Sequence, residues 1–299
     1  MDAFLTSRVV TDILEGIVQG VVIGLVALGL VLVWRATRVL NFALGAIATL
    51  AAYLGMGLLS YHVGFWWCFV LCIPFGMVLG GATERIVVRP LYGKPELNPI
   101  VAMVGLLFLL EAVVGAIWST TTRAIPVPFS FIHWTLGGRP FALSPLSVFQ
   151  ICAALVLALA IGALFRFTQL GLQLRATAHA PETSRLLGVR VSRMLTLGWM
   201  LSCSVGAVAA VIVAAGFATG LTPSEMEAPF AIGFIAAAVG GLDSPVGALV
   251  GGVAFGVIEQ FVTDYLNANL VLPVALGILI LALVLRPQGV FSRPVARRV

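Results

Sequence analysis

Charge is scarce in this chain, and the scarcity excludes a great deal. Of 299 residues, 10% are Asp, Glu, Lys or Arg and 61% are hydrophobic, well above the ~45–50% apolar share of soluble domains. Histidine is rarer still: His62, His133 and His179 are the three, and each falls between apolar runs. There is no Ser-His-Asp grouping, no HExxH pair and no dinucleotide fingerprint. Gly93-Lys94 lacks the preceding glycine loop and the following Ser or Thr of a phosphate-cradling loop. No catalysis and no cofactor are therefore expected on this chain; any ATP must be used by another polypeptide. Cys68, Cys72, Cys152 and Cys203 all lie in apolar segments, which predicts free buried thiols rather than a disulfide framework, and their spacing suits no metal. The first residues carry Asp2, Asp12 and Glu15 where a signal peptide would be basic, so no cleavage is expected there. The net charge of +5 is spread over loops between apolar runs, which argues against a nucleic-acid partner.

What the chain has instead is long apolar runs and 32 glycines. They predict an all-α, polytopic helical membrane protein, one domain over residues 1–299, embedded in membrane lipid. Residues 4–14 place Phe4, Leu5, Val9, Val10, Ile13 and Leu14 near one helical face, as a short interfacial helix would. Gly16 to Trp34 reads as a first span, with Gly20 and Gly24 as a small-xxx-small pair. Further apolar segments run over Phe42–Tyr61, Phe65–Ala82, Ile100–Trp118, Leu146–Phe165, Leu195–Phe217, Phe230–Leu242, Val246–Val262 and Leu270–Leu285. Pro90, Pro95 and Pro99 keep much of the loop after the third segment from being one helix. A polar stretch from Ser119 to Pro145, with Gly137 and Gly138, reads as a short lid or hairpin. Asp243 is the simplest cap for the helix after it, and Glu259 lies near the end of its segment.

The residues 230–242 are too few for a full span, which needs roughly 17–25. Charge decides how they are read. If all nine segments cross and the N-terminus is outside, the basic residues fall on the cytoplasmic side except Arg8, Arg123 and Arg139. If residues 230–242 merely dip in and out, the basic tail is exported, against the positive-inside rule. Eight to nine transmembrane segments are therefore expected, one of them short or broken and completed by backbone that lines protein or a cavity. The expected setting is a bacterial inner membrane, with the N-terminus periplasmic and the C-terminus cytoplasmic.

A basic loop over 167–194 stands out between two spans. Pro181 suits a first helical position, Glu182 suits the helix N-terminal dipole, and Gly188 suits a left-handed C′ position. A helix over Pro181–Leu187 is too short to stand alone. It lies either on lipid headgroups or against a partner. Inside the apolar segments, Glu111 reads either as a substrate or gating contact or as a buried acid bonded to a neighbouring helix. Asn41 and Gly45 read as a translocation-path element or as a cap and a packing site. Gly240 and Gly241 belong to a Gly-rich stretch that suits close packing.

Several stretches resemble the branched-chain amino acid (Liv-type) permeases of ATP-binding cassette importers. GIVQGVVIGLVALGLVLVWRATRVLNFALGAIATLAAYLG is similar to that family's opening, with Asn41, Phe42, Ala43 and Gly45 matching and Leu44 in place of the usual His. TERIVVRPLYG resembles its first cytoplasmic loop through Glu84, Arg85, Arg89 and Pro90. LGLQLRATAHAPETSRLLGV resembles its second, and AAAVGGLDSPVGALVGG its Gly-rich C-terminal signature. By that resemblance, Arg175, Pro181, Glu182, Arg185, Leu187 and Gly188 would form a coupling element, with Ala180 where the family has a better capping residue. Asn41, Gly45, Glu111, Gly240 and Gly241 would line the path. The resemblance also implies two ATP-binding cassette subunits carrying the ATP, a second homologous permease subunit and a periplasmic solute-binding protein. The substrate would be a branched-chain amino acid or a related small amide or carboxylate solute. An alternative is a self-contained ion- or proton-coupled secondary transporter, for which Glu111 is the best support.

Overall fold

Apolar helices are the natural outcome of such runs, since lipid offers no partner for backbone N–H and C=O groups. The computed structural model describes residues 2–57, 64–95, 97–123, 127–128, 135–136, 139–140, 143–216, 220–286 and 289–291. His62, His133, Trp134, Gly137, Gly138 and the tail arginines Arg293, Arg297 and Arg298 lie outside the described residues. Eleven α-helices are described: α1 (Asp2–Thr37), α2 (Leu44–Gly57), α3 (Phe65–Thr83), α4 (Leu97–Trp118), α5 (Pro145–Phe167), α6 (Gln169–His179), α7 (Pro181–Leu186), α8 (Val191–Gly216), α9 (Glu227–Gly240), α10 (Pro245–Tyr265) and α11 (Val271–Leu285). Seven helical stretches are long and apolar enough to cross a membrane, and α2 and α9 are shorter apolar helices of 14 residues. The short segment expected near residue 235 is thus a short helix. A two-residue hairpin, β1 (Thr135–Leu136) with β2 (Arg139–Pro140), occupies the polar stretch before α5.

Two expectations are corrected. The interfacial helix over 4–14 and the span from Gly16 are one helix, α1. Gly16, Gly20 and Gly24 do not break it, because they face α10. A Cβ on Gly16 would lie 2.7 Å from Val257 Cα, and one on Gly20 2.6 Å from Val253 Cα. Gly252 and Gly256 approach Gly24 and Gly20 from the other side, so the two backbones meet along an antiparallel glycine seam.

The segment after α3 is not one helix, as its prolines lead one to expect, but it begins with helical turns. Glu84–Val88 continues as a π-helical turn and Arg89–Leu91 as a 3-10 turn. The wide turn brings Glu84 and Arg89, five residues apart, onto one side. There Arg89 donates from Nε (3.2 Å) and Nη2 (3.0 Å) to a fully buried Glu84 carboxylate, which also accepts from Thr196 Oγ1 at 2.9 Å. Finally, Ser244 rather than Asp243 caps α10, accepting from Gly247 N at 3.0 Å, while Asp243 pairs with Arg38 at 2.7 Å. Ser244 stands directly before the first helical residue, Pro245, and so at the N-cap, from which a side-chain oxygen reaches the third helical N–H; Asp243 is one residue too early.

α1 and α8 are the buried centre: four fifths or more of each apolar window is covered. The remaining helices surround them. α4 and α11 stay on the outside, with 11% and 6% of their windows covered, and present leucine, isoleucine and valine outward. This exposed apolar belt is the expected surface of a protein solvated by lipid.

Candidate functional site

At one end of the bundle, α6 and α7 form an arm between α5 and α8. Thr168 caps α6, accepting from Gly171 N at 3.1 Å. Ala180 supplies no side-chain cap to α7, as its residue type dictates, and Pro181 occupies the first turn. The far end of α7 is closed firmly. Gly188 has φ +83°; its N–H reaches Arg185 O at 3.0 Å and Val189 N–H reaches Ser184 O at 3.0 Å. This paired 5→2 and 6→1 pattern is a Schellman closure, and it needs the left-handed backbone that glycine adopts freely. Arg185 and Glu182 form an exposed pair at 3.5 Å. Leu186 and Leu187 are 89% and 80% exposed. Arg175 lies on α6, its Nε donating to Gly171 O at 3.4 Å. α6 itself was not foreseen, since its amphipathic stretch QLGLQLRATAH is only weakly apolar.

At the opposite end, α1, α5, α8, α9 and α10 line an open chamber of about 640 Å³. Its polar lining includes Glu15, Gln19, Gln150, Glu225 and Glu259. Its apolar wall includes Val18, Val22, Ile23, Val213 and Ile232. No Lys or Arg lines it among the described residues. The polar groups are held in place. Gln260 bridges Gln19 (3.2 Å) and Glu15 (3.3 Å), Gln150 donates to Ile212 O (3.2 Å), and Thr222 donates to Glu225 (2.9 Å). Beyond Ile23 and Ile232 the helices close, with Gly233 against Val26 and Gly29 against Leu44 and Ser202. The chamber is a concave, largely apolar site with few convergent polar groups, the usual form of a small-molecule site. Sequence reasoning missed it. The signal was there: carboxylates and glutamines at those ends of the apolar runs that fall on one side of the bundle, Glu15 and Gln19 near the start of the first, Gln150 near the start of the fifth and Glu259 near the end of the eighth.

The five path residues separate. Asn41 is fully buried as a cap, its Oδ1 accepting from Ala43 N at 3.1 Å at the start of α2. Gly240 packs on the Gly247 backbone, and Gly241 (φ +104°) ends α9. Only Gly45 and Glu111 come together, in a second, small crevice shared with Thr49, Met226 and Glu227. Outside the spans, burial beside Glu84 pushes the Tyr92 phenol up from its ordinary pKa, so it stays neutral at physiological pH.

Residues 12–285 match the family described as branched-chain amino acid transport system / permease component. The chain is 26% identical to the high-affinity branched-chain amino acid transport system permease protein BraD of Pseudomonas aeruginosa, over 96% of this chain and 97% of that protein. It is 25% identical to the high-affinity permease protein LivH of Escherichia coli strain K12, over 95% and 96% respectively. It is 30% identical to a probable branched-chain amino acid transport permease protein LivH of Methanocaldococcus jannaschii, over 85% of this chain and 81% of that one.

Proposed function

The chain belongs to the family of permease components of branched-chain amino acid transport systems, and from that premise we propose that it is a membrane subunit of an ATP-binding cassette importer. Its cargo is a branched-chain amino acid or a related small amide or carboxylate solute. The observation that carries the reading is the placement of two features at opposite ends of one multi-pass bundle: a solute-sized chamber at one end and an unpartnered helical arm at the other. The chamber end faces the periplasm in this reading, where a solute-binding protein delivers the solute. Its carboxylates suit an α-ammonium group, and its Val and Ile wall suits a branched side chain. Solute entry is then a matter of shape and polar pairing, with no chemistry on this chain.

The arm faces the cytoplasm. Leu186 and Leu187, flanked by Arg185 and Glu182, are an apolar tip with a charged rim, the composition expected of a docking surface. Two cassette subunits supply ATP hydrolysis. A second permease subunit completes the path, and the exposed apolar belt of α4 and α11 offers surfaces for it or for inner-membrane lipid. The Schellman closure at Gly188 fixes the direction in which the tip points, so motion of a cassette passes to α6 and α8.

The test is isolation of the tagged chain from its native membrane under gentle conditions, with mass spectrometry of bound proteins. Recovery of a cassette ATPase and a second polytopic subunit supports the reading. Recovery of this chain alone, with uncoupler-sensitive uptake by it, contradicts the reading in favour of a secondary transporter.

A further inference from the structure

The end of the bundle that carries the arm gathers positive charge with no anion to meet it. α1 has Arg35 in its last turn, α5 has Arg166 in its last turn, and α6 carries Arg175. The three converge on Phe165. The Arg35 guanidinium lies over that ring, its Cζ 5.8 Å from the centroid. Gly171 seats α6 on the same residue, since a Cβ there would lie 2.5 Å from Phe165 Cα. Arg175 stands one turn beyond Gly171 and folds back toward it, its Nε donating to Gly171 O at 3.4 Å. Arg166 follows Phe165 directly and lies over the Phe167 ring. α6 packs against α1 and α5 together, so the cluster belongs to a fixed junction of three helices.

The carboxylates described at this end are already committed. Asp243 pairs with Arg38 at 2.7 Å, Glu84 with Arg89 at 3.0 Å and Glu182 with Arg185 at 3.5 Å. Arg35, Arg166 and Arg175 have no ion-pair partner among the described residues. Arg35 and Arg175 are partly covered and Arg166 is exposed. Three guanidiniums held close together repel one another, and an anion that their forks can grip offsets that repulsion.

The surroundings say which anion. Arg35 lies within the crossing stretch Arg8–Thr37 and Arg166 within Pro145–Phe167, so both sit at the depth of lipid headgroups. The partner-facing tip of α7 lies further along the chain. α5 presents Leu155, Val156 and Leu159 outward, and at helical spacing the same stripe continues through Ala163 to Arg166. Beyond it, Phe167, Leu170 and Leu172 remain exposed. An apolar track thus leads straight to the cations. That is the layout of an acyl chain and its headgroup, not of a protein carboxylate or a soluble ion.

We propose that Arg35, Arg166 and Arg175 bind the phosphate of an anionic phospholipid, whose acyl chains lie along the outward face of α5. The phosphate ties α6 to the ends of α1 and α5. The arm is therefore held more firmly in an anionic membrane than in a zwitterionic one. The site depends neither on what the permease carries nor on which subunits energise it.

The full chain in nanodiscs tests this, with phosphatidylcholine alone or with a rising fraction of phosphatidylglycerol. Deuterium uptake is followed over residues 169–179, and native mass spectrometry counts the lipid retained. Phosphatidylglycerol should slow exchange over 169–179 at least threefold, and one molecule of it should stay bound. Arg35→Gln and Arg175→Gln should each abolish both effects. Arg175 bonds only within its own helix, so Arg175→Gln carries the test if Arg35→Gln fails to insert. Arg286→Gln removes an exposed cation at the end of α11, on the same side of the bundle, and should leave both effects intact. Equal loss in Arg286→Gln overturns the proposal, because diffuse attraction to any interfacial cation would then explain the result. Equal exchange with and without phosphatidylglycerol also overturns it. So does slowing by inorganic phosphate in phosphatidylcholine alone, which would give the site to a soluble anion.

Discussion

At the scale of single residues, the interaction with the most at stake is the Glu84–Arg89–Thr196 cluster. Glu84 is fully buried and Arg89 about two thirds covered. Removing one partner of such a pair leaves an uncompensated charge, at a cost of about 3–5 kcal/mol. Arg89→Ala should therefore lower the melting temperature sharply in detergent, and Glu84→Gln, which keeps one oxygen to accept from Arg89 Nη2 and Thr196 but loses the bond from Arg89 Nε, should lower it less. Equal effects would mean that the ion pair matters little. Ser244→Ala should cost about 1 kcal/mol as a lost helix cap. Asp243→Ala should cost less, because its pair with Arg38 is half-exposed on both sides; denaturation midpoints of the two variants settle the order. Glu84 and Arg89 were recognisable in the sequence as parts of a motif but not as a pair. Five-residue spacing aligns side chains on a π turn and not on an α-helix, and nothing local announces a π turn. Gly188 was legible because a left-handed closure has a nearly unique residue requirement.

At the scale of elements, apolar runs place the spans to within a few residues, since lipid leaves a run of that length one way to bond its backbone. What the runs do not reveal is where a helix continues past its apolar part. α1 extends through Asp12 and Glu15 because those side chains find partners: Tyr265 donates to Asp12 at 2.8 Å and Gln260 to Glu15 at 3.3 Å. Such contacts come from α10, more than two hundred residues away. The Gly20–Gly24 pair was readable, and its partner face, Gly252 and Gly256, lies in and just past the C-terminal glycine signature. Gly20→Leu should overfill this seam, where the close approach of Val253 leaves no room for a Cβ. Loss of folded protein in the membrane, read by protease resistance and fluorescence-detected gel filtration, is the expected result. At the arm, Gly188→Val forces a branched residue into φ +83°. It should leave expression near wild type and reduce transport at least tenfold, while ATP hydrolysis by the assembled complex persists.

At the scale of the whole molecule, the proposed function assigns solute entry to the chamber and coupling to the arm, at the two ends of the bundle. Among the described residues, nine apolar helical stretches, two of them short, make up that bundle, with α1 and α8 at its centre. The chamber was not legible in the sequence, because it draws side chains from five helices and depends on how they tilt together. Ile232→Trp should fill its wall and cut uptake at least tenfold with the protein still inserted and assembled; uptake at wild-type rates would remove the chamber from the path. The central claim, that this permease is energised by partner ATPases through α7, is tested most directly by uptake of radiolabelled leucine into cells carrying the whole transport operon, for the wild type and for Leu186→Asp/Leu187→Asp. The account predicts wild-type uptake that survives a protonophore when ATP is maintained, and at least tenfold loss in the double variant at unchanged membrane abundance. Uptake that collapses with the protonophore and ignores the α7 substitutions would contradict it.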